Sequence, residues 1–517
     1  MSSRSLPSNW IEVELKALVP SNGIFTDGDW VESKDQDPEG EVRLIQLADI
    51  GDGRFRNKSA RFLTKAKAKE LGCTYLQAGD ILIARMPDPL GRACLFPLTG
   101  NEKYVTVVDV CVVRVAEETI SSRFITYLIN SGAIRQQIQG FESGTTRKRI
   151  SGKNLARILI PLPPLAEQRR IVAKIEELFS ELDKGIENLK QALAQLTVYR
   201  QALLKHAFEG HLTADWRKVH ASELESADQL LASIRTERRR RWEEAQMKVY
   251  ADSGKQPPKN WRDRFKLPNP PDPGNLPTLP VSWIWANLGE CFVVEVGATP
   301  SRANPLFWNG TIPWVSSGEV QFCHVLETRE KITEQGLANS STQVNPVGSV
   351  ILNMIGEGKT RGKAGVLKIA ACNNQNCAAI WVSETSIPPL FIYYLLLFRY
   401  NQTRQLGSGN NQPAMNKSIV EQIAFPLAPQ REQETIVQHL SEQLSVVDNL
   451  ESDIDANLQK SEALRQSILK KAFAGELVPQ DPNDEPASEL LARIRAEREV
   501  AQKTSPAKPK KLRIATI

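Results

Sequence analysis

The chain has 517 residues, 41% apolar and 24% charged, with 65 Lys and Arg against 60 Asp and Glu. This composition excludes a disordered or fibrous protein, and a net charge of +5 permits a polyanionic partner without requiring one. Seven cysteines without a CxxC pair argue against a disulfide framework or a zinc site. The lack of a long apolar run or N-terminal signal region predicts a soluble, cytoplasmic protein with no membrane association.

The first predicted unit opens at Leu6-Pro7-Ser8-Asn9-Trp10 and runs as a mixed globule over residues 1–160. Short apolar runs at Asp80–Ala84 and Val105–Val115, broken by Gly, Asp and Pro, read as strands, and Ser122 to about Gln139 as one helix. Pro161, Pro163 and Pro164 block an earlier helix start; Pro164 suits the first helical position, with Glu167 and Gln168 in the first turn. From there Ile171, Ile175, Leu178, Leu182, Ile186, Leu189, Leu193, Leu196, Tyr199 and Leu203 recur every three or four residues, the stripe of a coiled-coil seam. Gly210 falls where a left-handed cap ends such a helix. The stretch 161–212 is therefore a spacer helix of roughly 70 Å.

Residues 213–278 read as a linker. It holds a helix from Ala227 to about Met247, whose Arg238-Arg239-Arg240-Arg241 run is taken as a solvated face, and a Pro-rich stretch from Gln256 to Pro280. The pattern then repeats. Leu279-Pro280-Val281-Ser282-Trp283 opens a second globule over 279–425, and a second spacer helix follows over 426–477. Its stripe is Ile436, Leu440, Leu444, Val447, Leu450, Ile454, Leu458, Leu464 and Ile468, capped at Gly475. Pro161–Asp183 matches Pro426–Asp448, and Arg200–Leu212 matches Arg465–Leu477, both displaced by 265 residues without insertion or loss. Fainter echoes link 42–50 to 312–320 and 124–128 to 391–395. In the tail, 478–517, Pro486–Arg498 resembles Ser226–Arg238 before a lysine-rich end expected to be disordered. A period this long is duplication of a whole domain rather than a solenoid.

Catalytic motifs fail on inspection. Gly356-Glu357-Gly358-Lys359-Thr360 ends like a phosphate loop, but Asn353 stands where the first glycine is needed. Asn269-Pro270-Pro271-Asp272 carries an aspartate where an adenine methyltransferase turn has an aromatic ring, and it lies in the Pro-rich linker. The five histidines have no metal or triad spacing.

The proline-led block at 161–183, its partner at 426–448 and the two Leu-Pro-x-x-Trp entries resemble the DNA-specificity subunit of a type I restriction-modification system. The second copy departs from the family's spacer motif at Ala428 and Gln430-Arg431. The resemblance implies an α+β protein with two target-recognition domains. They would be joined by a pair of long antiparallel coiled-coil spacer helices, giving an internal pseudo-twofold repeat. It also implies double-stranded DNA as ligand, with a split, asymmetric target, and two methylation subunits as partners. Through these, restriction and translocation subunits would join. S-adenosylmethionine, ATP and Mg are expected on the partners, none on this chain, and no catalysis by the chain alone.

Loops with polar and basic side chains are the expected readers of base edges and phosphates. The candidates in the first domain are Arg85, Arg92, Thr145, Thr146, Arg147 and Lys148; in the second they are Lys359, Arg361, Lys363, Asn410, Asn411 and Gln412. A coiled-coil scaffold carrying two protein-binding domains is the alternative, and a free-standing adenine methyltransferase or NTPase a third reading that the failed motifs disfavour.

Overall fold

The computed structural model describes residues 6–87, 89–97, 103–144, 148–356, 359–406 and 414–504. The chain forms two compact units, Met1–Lys190 with Asp455–Ile517, and Gln191–Ile454. In the first unit the strands are β1 (Ile11–Glu14), β2 (Ile24–Asp27), β3 (Val42–Ile45), β4 (Phe62–Leu63), β5 (Ile81–Ala84), β6 (Ala93–Leu95), β7 (Lys103–Thr106), β8 (Val110–Arg114) and β9 (Leu159–Leu162). They make a sheet of order β2-β8-β5-β6, a smaller one of order β4-β3-β7, and the pair β1-β9. Every pairing is antiparallel except β3 with β7.

The second unit holds β10 (Ile284–Asn287), β11 (Val294–Val296), β12 (Trp308–Val315), β13 (Cys323–Val325), β14 (Glu330–Ile332), β15 (Val350–Asn353), β16 (Ala364–Leu367), β17 (Cys372–Asn373), β18 (Cys377–Ile380) and β19 (Ala424–Leu427). Its sheets are β11-β18-β15-β16-β13, β14-β12-β17 and β10-β19. The connectivity is that of the first unit with β13 added at one edge.

The central strands show why these apolar runs become strands. Along β5, Ile81 and Ile83 enter one core cluster while Leu82 and Ala84 enter another. Along β15, Val350 and Leu352 face one cluster and Ile351 the other. A period of two lets a continuous apolar run bury both faces of a sheet. The run 105–115 divides into β7 and β8. The helix expected from Ser122 to Gln139 is also divided, into Ser122–Ile129 and Gly132–Gly140. Asn130 sits at the break, its side chain accepting from Ala93 N at 2.9 Å and donating to Ala93 O at 2.8 Å. A side chain committed to a strand edge offers the backbone an alternative to continuing the helix.

The two long helices are Leu165–Phe208 and Gln430–Phe473, 44 residues each. Pro161, expected to precede the first helix as a breaker, lies inside β9 opposite Glu12, and the helix starts after Pro164, whose carbonyl accepts from Gln168 N at 2.9 Å. In the first unit the beginning of the first long helix (Ile171, Ile175) shares a core with the end of the second (Ile468, Leu469, Ala472, Phe473). In the second unit the end of the first (Leu203, Leu204, Ala207, Phe208) shares a core with the beginning of the second (Ile436, Leu440, Leu444). Gly210 and Gly475 take left-handed φ values of +77° and +74°. A Cβ on Gly210 would lie 2.4 Å from Pro280, and one on Gly475 2.5 Å from Pro7, so each cap is closed by a Leu-Pro entry.

The linker and tail each pack a helix against the core of one unit. The linker helix extends over Ala227–Asp252, and Ala227, Leu230, Leu231 and Ile234 pack in the second unit's core with Trp283. The tail forms a helix, Ala487–Thr504, whose Ala487, Leu490, Leu491 and Ile494 pack with Trp10 in the first unit. The lysine-rich end beyond residue 504 lies outside the described residues.

Candidate nucleic-acid interface

Of the predicted readers in the first unit, Arg85 and Arg92 face inward. Arg85 is 3% exposed; its Nε donates to Ile150 O at 2.9 Å, its Nη1 to Val108 O at 2.9 Å, and it pairs with Asp27 at 2.8 Å. Arg92 is 5% exposed and donates to the carbonyls of Ile50 (2.7 Å), Leu47 (2.8 Å), Pro89 (3.1 Å) and Met86 (3.2 Å). A guanidinium whose fork is filled by main-chain acceptors cannot also reach a base edge. This corrects the expectation for both residues: they hold together the carbonyls of Leu47, Ile50, Met86, Pro89, Val108 and Ile150. Lys148 is exposed and pairs with Glu142 at 2.7 Å, a hydrogen bond that holds its pKa above the ordinary lysine value. Ser143 and Arg149 exchange backbone hydrogen bonds of 3.0 and 2.9 Å as an isolated antiparallel bridge. Thr145, Thr146 and Arg147 lie outside the described residues.

The second unit builds the same framework from other side chains. Asn353 is fully buried, and its Nδ2 donates to Ser317 O at 3.0 Å and Val320 O at 3.1 Å, the counterparts of the Leu47 and Ile50 carbonyls held by Arg92. This explains the asparagine that breaks the phosphate-loop pattern. Met415 N donates to Met354 O at 3.1 Å, as Ile150 N does to Arg85 O. Lys359 is exposed, and its carbonyl accepts from Tyr400 Oη at 2.5 Å. Arg361 and Lys363 are half-buried, and Lys363 Nζ bonds to Gln321. Asn410, Asn411 and Gln412 lie outside the described residues.

A basic loop the sequence reading missed runs from Arg54 to Arg61 in the first unit. Arg54, Arg56, Lys58 and Arg61 are all exposed. The loop is pinned from beneath by Asp49, which is fully buried and accepts from Lys58 N (2.6 Å), Ser59 N (2.8 Å), Gln46 N (2.8 Å) and Ser59 Oγ. Phe55 anchors it edge-on against Phe96 at 5.6 Å, and Asn57 turns it with φ +51°. Gly53 N donates to Ala93 O at 2.9 Å and Asp52 pairs with Arg135 at 2.8 Å, which joins the loop to the Arg92 framework. Four cations in eight residues with an interleaved aromatic was the available signal.

The arginine run of the linker is accounted for structurally. Arg238 caps the carbonyl of Glu290 at 2.9 Å, Arg239 pairs with Glu243, Arg240 with Glu237 and Glu244, and Arg241 with Glu237. Among the described residues no group of three or more His, Cys, Asp or Glu could hold a metal ion. Among the described residues no helix is long and apolar enough to cross a membrane.

The model of the type I restriction modification DNA specificity domain matches residues 7–193 and again 280–460. The chain belongs to this family. Its relatives include the EcoBI specificity subunit of Escherichia coli, 24% identical over 96% of this chain and 93% of the relative. The EcoKI specificity subunit of Escherichia coli K12 is 23% identical over 96% and 97%. Among solved structures, a chain described under complex assembly and conformational transition of the type I R-M system superposes with a TM-score of 0.66, at 20% identity over 92% of this chain and all of that one. The HsdS subunit from Thermoanaerobacter tengcongensis gives 0.54, at 20% identity over 92% and 99%. As a type I specificity subunit, the chain is a DNA-binding component of a restriction-modification system. Each match runs from a Leu-Pro entry through one set of sheets into a long helix, so this framework falls inside the specificity domain in both units.

At the junction of entry and helix the family motif has a physical role. Glu167, 1% exposed, accepts from Trp10 Nε1 at 2.9 Å and Gln480 Nε2 at 2.6 Å. Glu432, fully buried, accepts from Trp283 Nε1 at 2.8 Å, Thr213 Oγ1 at 2.6 Å and Arg217 Nε at 2.8 Å. The carboxylate thus ties the start of one long helix to the entry tryptophan and to the segment that follows the other long helix. Burial pushes the Glu167 carboxyl above its ordinary pKa, against the lowering effect of its two donors.

Proposed function

We propose that the chain is the non-catalytic specificity subunit of a type I restriction-modification complex, reading a split, asymmetric DNA target with two recognition domains, residues 1–160 and 279–425. The spacer helices, 161–212 and 426–477, would fix the gap between half-sites, with the linker 213–278 and tail 478–517 bracing them. Two methylation subunits dock on this frame and bring S-adenosylmethionine and the chemistry; restriction subunits, ATP and Mg join through them, in the cytoplasm. The observation that carries the reading is that each unit contains the start of one long helix and the end of the other.

Ion pairs support an antiparallel coiled coil. Asp183 pairs with Arg465 in the first unit and Arg200 with Asp448 (2.6 Å) in the second, and both pairs of residue numbers add to 648, the arithmetic of one antiparallel register. A single chain carrying two dissimilar heads on a stiff spacer suits a bipartite site, because its half-sites must lie at a set helical phase on the duplex. The test is footprinting of the chain assembled with its methylation subunits. Two short protected patches flanking an indifferent gap are expected; a missing footprint favours the protein-binding scaffold. Single-molecule methylation mapping of the host genome should show a split adenine motif that disappears when the chain is deleted.

A further inference from the structure

We propose that the two recognition domains divide the work of DNA binding unequally: the Arg54–Arg61 loop of the first is a phosphate clamp that supplies sequence-independent affinity, and the matching loop of the second, charge-balanced, is not. The inference rests on the DNA-recognition reading above. Residues 51–61 carry Arg54, Arg56, Lys58 and Arg61 against Asp52 alone. The matching loop of the second domain, residues 321–331, balances Arg329 and Lys331 with Glu327 and Glu330.

The backbone scaffolds correspond, so the difference lies in the side chains. Glu319 takes Ser316 N at 2.9 Å and Arg329 N at 2.8 Å, as Asp49 takes Gln46 N and Lys58 N. In the second domain the nearby Arg302 lies 3.8 Å over the Trp308 ring and pairs with Glu330, so its charge is already spent within the protein. In the first, Arg54 pairs with Asp183 at 2.7 Å while Arg56 and Lys58 are exposed and make no ion pair among the described residues. Arg329 and Lys331 are exposed as well, so the contrast lies in Glu327 and Glu330, which neutralise their loop, where the first loop has Asp52 alone. The backbone of Arg56 and Lys58 is held by a buried carboxylate, a phenylalanine anchor and the Arg92 framework, which reduces the ordering cost of binding.

Exposed cations on a pinned backbone, in excess over the carboxylates of their loop, suit the phosphate backbone, where each neutralised phosphate releases counterions and steepens salt dependence. The ligand class is therefore duplex backbone of any sequence.

The test uses the full chain assembled with its methylation subunits, measuring Kd for target and scrambled duplexes from 50 to 200 mM salt. The variants are Arg56→Gln/Lys58→Gln and Arg329→Gln/Lys331→Gln. For the first pair, the slope of log Kd against log salt should fall by about 1.8, so the affinity gap to wild type shrinks about tenfold across that range, equally for both duplexes. The second pair should change the slope by less than about 0.5. An unchanged slope in the first pair, equal changes in both pairs, or an altered target-to-scrambled ratio in the first would overturn the clamp. A wild-type assembly that fails to distinguish the two duplexes would instead overturn the functional reading. Unchanged circular dichroism melting of the variants separates lost contacts from misfolding.

Discussion

Replacing Glu432 by alanine should destabilise the second unit more than any other single truncation at the helix junctions. The carboxylate is fully buried and takes three donors, from Trp283, Thr213 and Arg217, with the Arg217 Nη2 also at 2.7 Å. Arg217 in turn lies 5.4 Å from the Trp283 ring centroid, so the cluster is one unit of indole, cation and anion. Removing the anion leaves the Arg217 guanidinium, 17% exposed, without its counter-charge and bonded to the Gly210 carbonyl, and orphans an indole N–H and a hydroxyl. A broken buried ion pair costs about 3–5 kcal/mol, and the orphaned neutral donors are not additive with it. We expect a loss of about 3–5 kcal/mol for Glu432→Ala. Glu432→Gln keeps one acceptor oxygen, for Trp283, while its amide can donate to Thr213 Oγ1, and should lose about half as much. Urea unfolding followed by ellipticity gives the total, and hydrogen exchange of the Gln433–Leu440 amides assigns it to this junction, with the amides after Glu167 as internal control. A loss under about 1 kcal/mol, or equal losses for Ala and Gln, would refute the assignment of the ion pair as the dominant contribution.

The Glu167 junction has only neutral donors, so Glu167→Ala should cost about 1–3 kcal/mol, measured in the same way. Because burial raises the Glu167 pKa, ionising it weakens the folded state. Wild-type stability relative to Glu167→Gln should therefore fall as pH rises from the ordinary carboxyl value through the folded one, and be constant on either side. A heptad inserted in register into both long helices should lengthen the preferred gap by about three base pairs, since seven residues rise about 10 Å; methylation mapping reads this, and an unchanged gap would defeat the spacer. Iodoacetamide at pH 7.5 should leave Cys94 and Cys73 largely unmodified in the folded protein. Burial pushes their pKa values up to about 12 and about 11. Peptide mass spectrometry before and after denaturation checks this.

Much of the architecture was written in local pattern. The 265-residue displacement, the three-and-four spacing of the stripes and the glycines at 210 and 475 follow from helical periodicity and left-handed capping, which act over a few residues and so can be read from the sequence. Tertiary structure decided what the irregular loops do. Arg85 and Arg92 look like surface cations until the carbonyls of Ile150, Ile50 and Leu47 fold over them, and Asn353 looks like a failed phosphate loop until it holds the corresponding pair of carbonyls. The Arg54–Arg61 loop gains its rigidity from Asp49 and Phe96, and Glu432 meets Trp283 across 149 residues of chain. Such partners have no periodicity linking them. Which polar side chain is spent satisfying buried main-chain groups, and which remains free for DNA, is settled only when distant segments close around it.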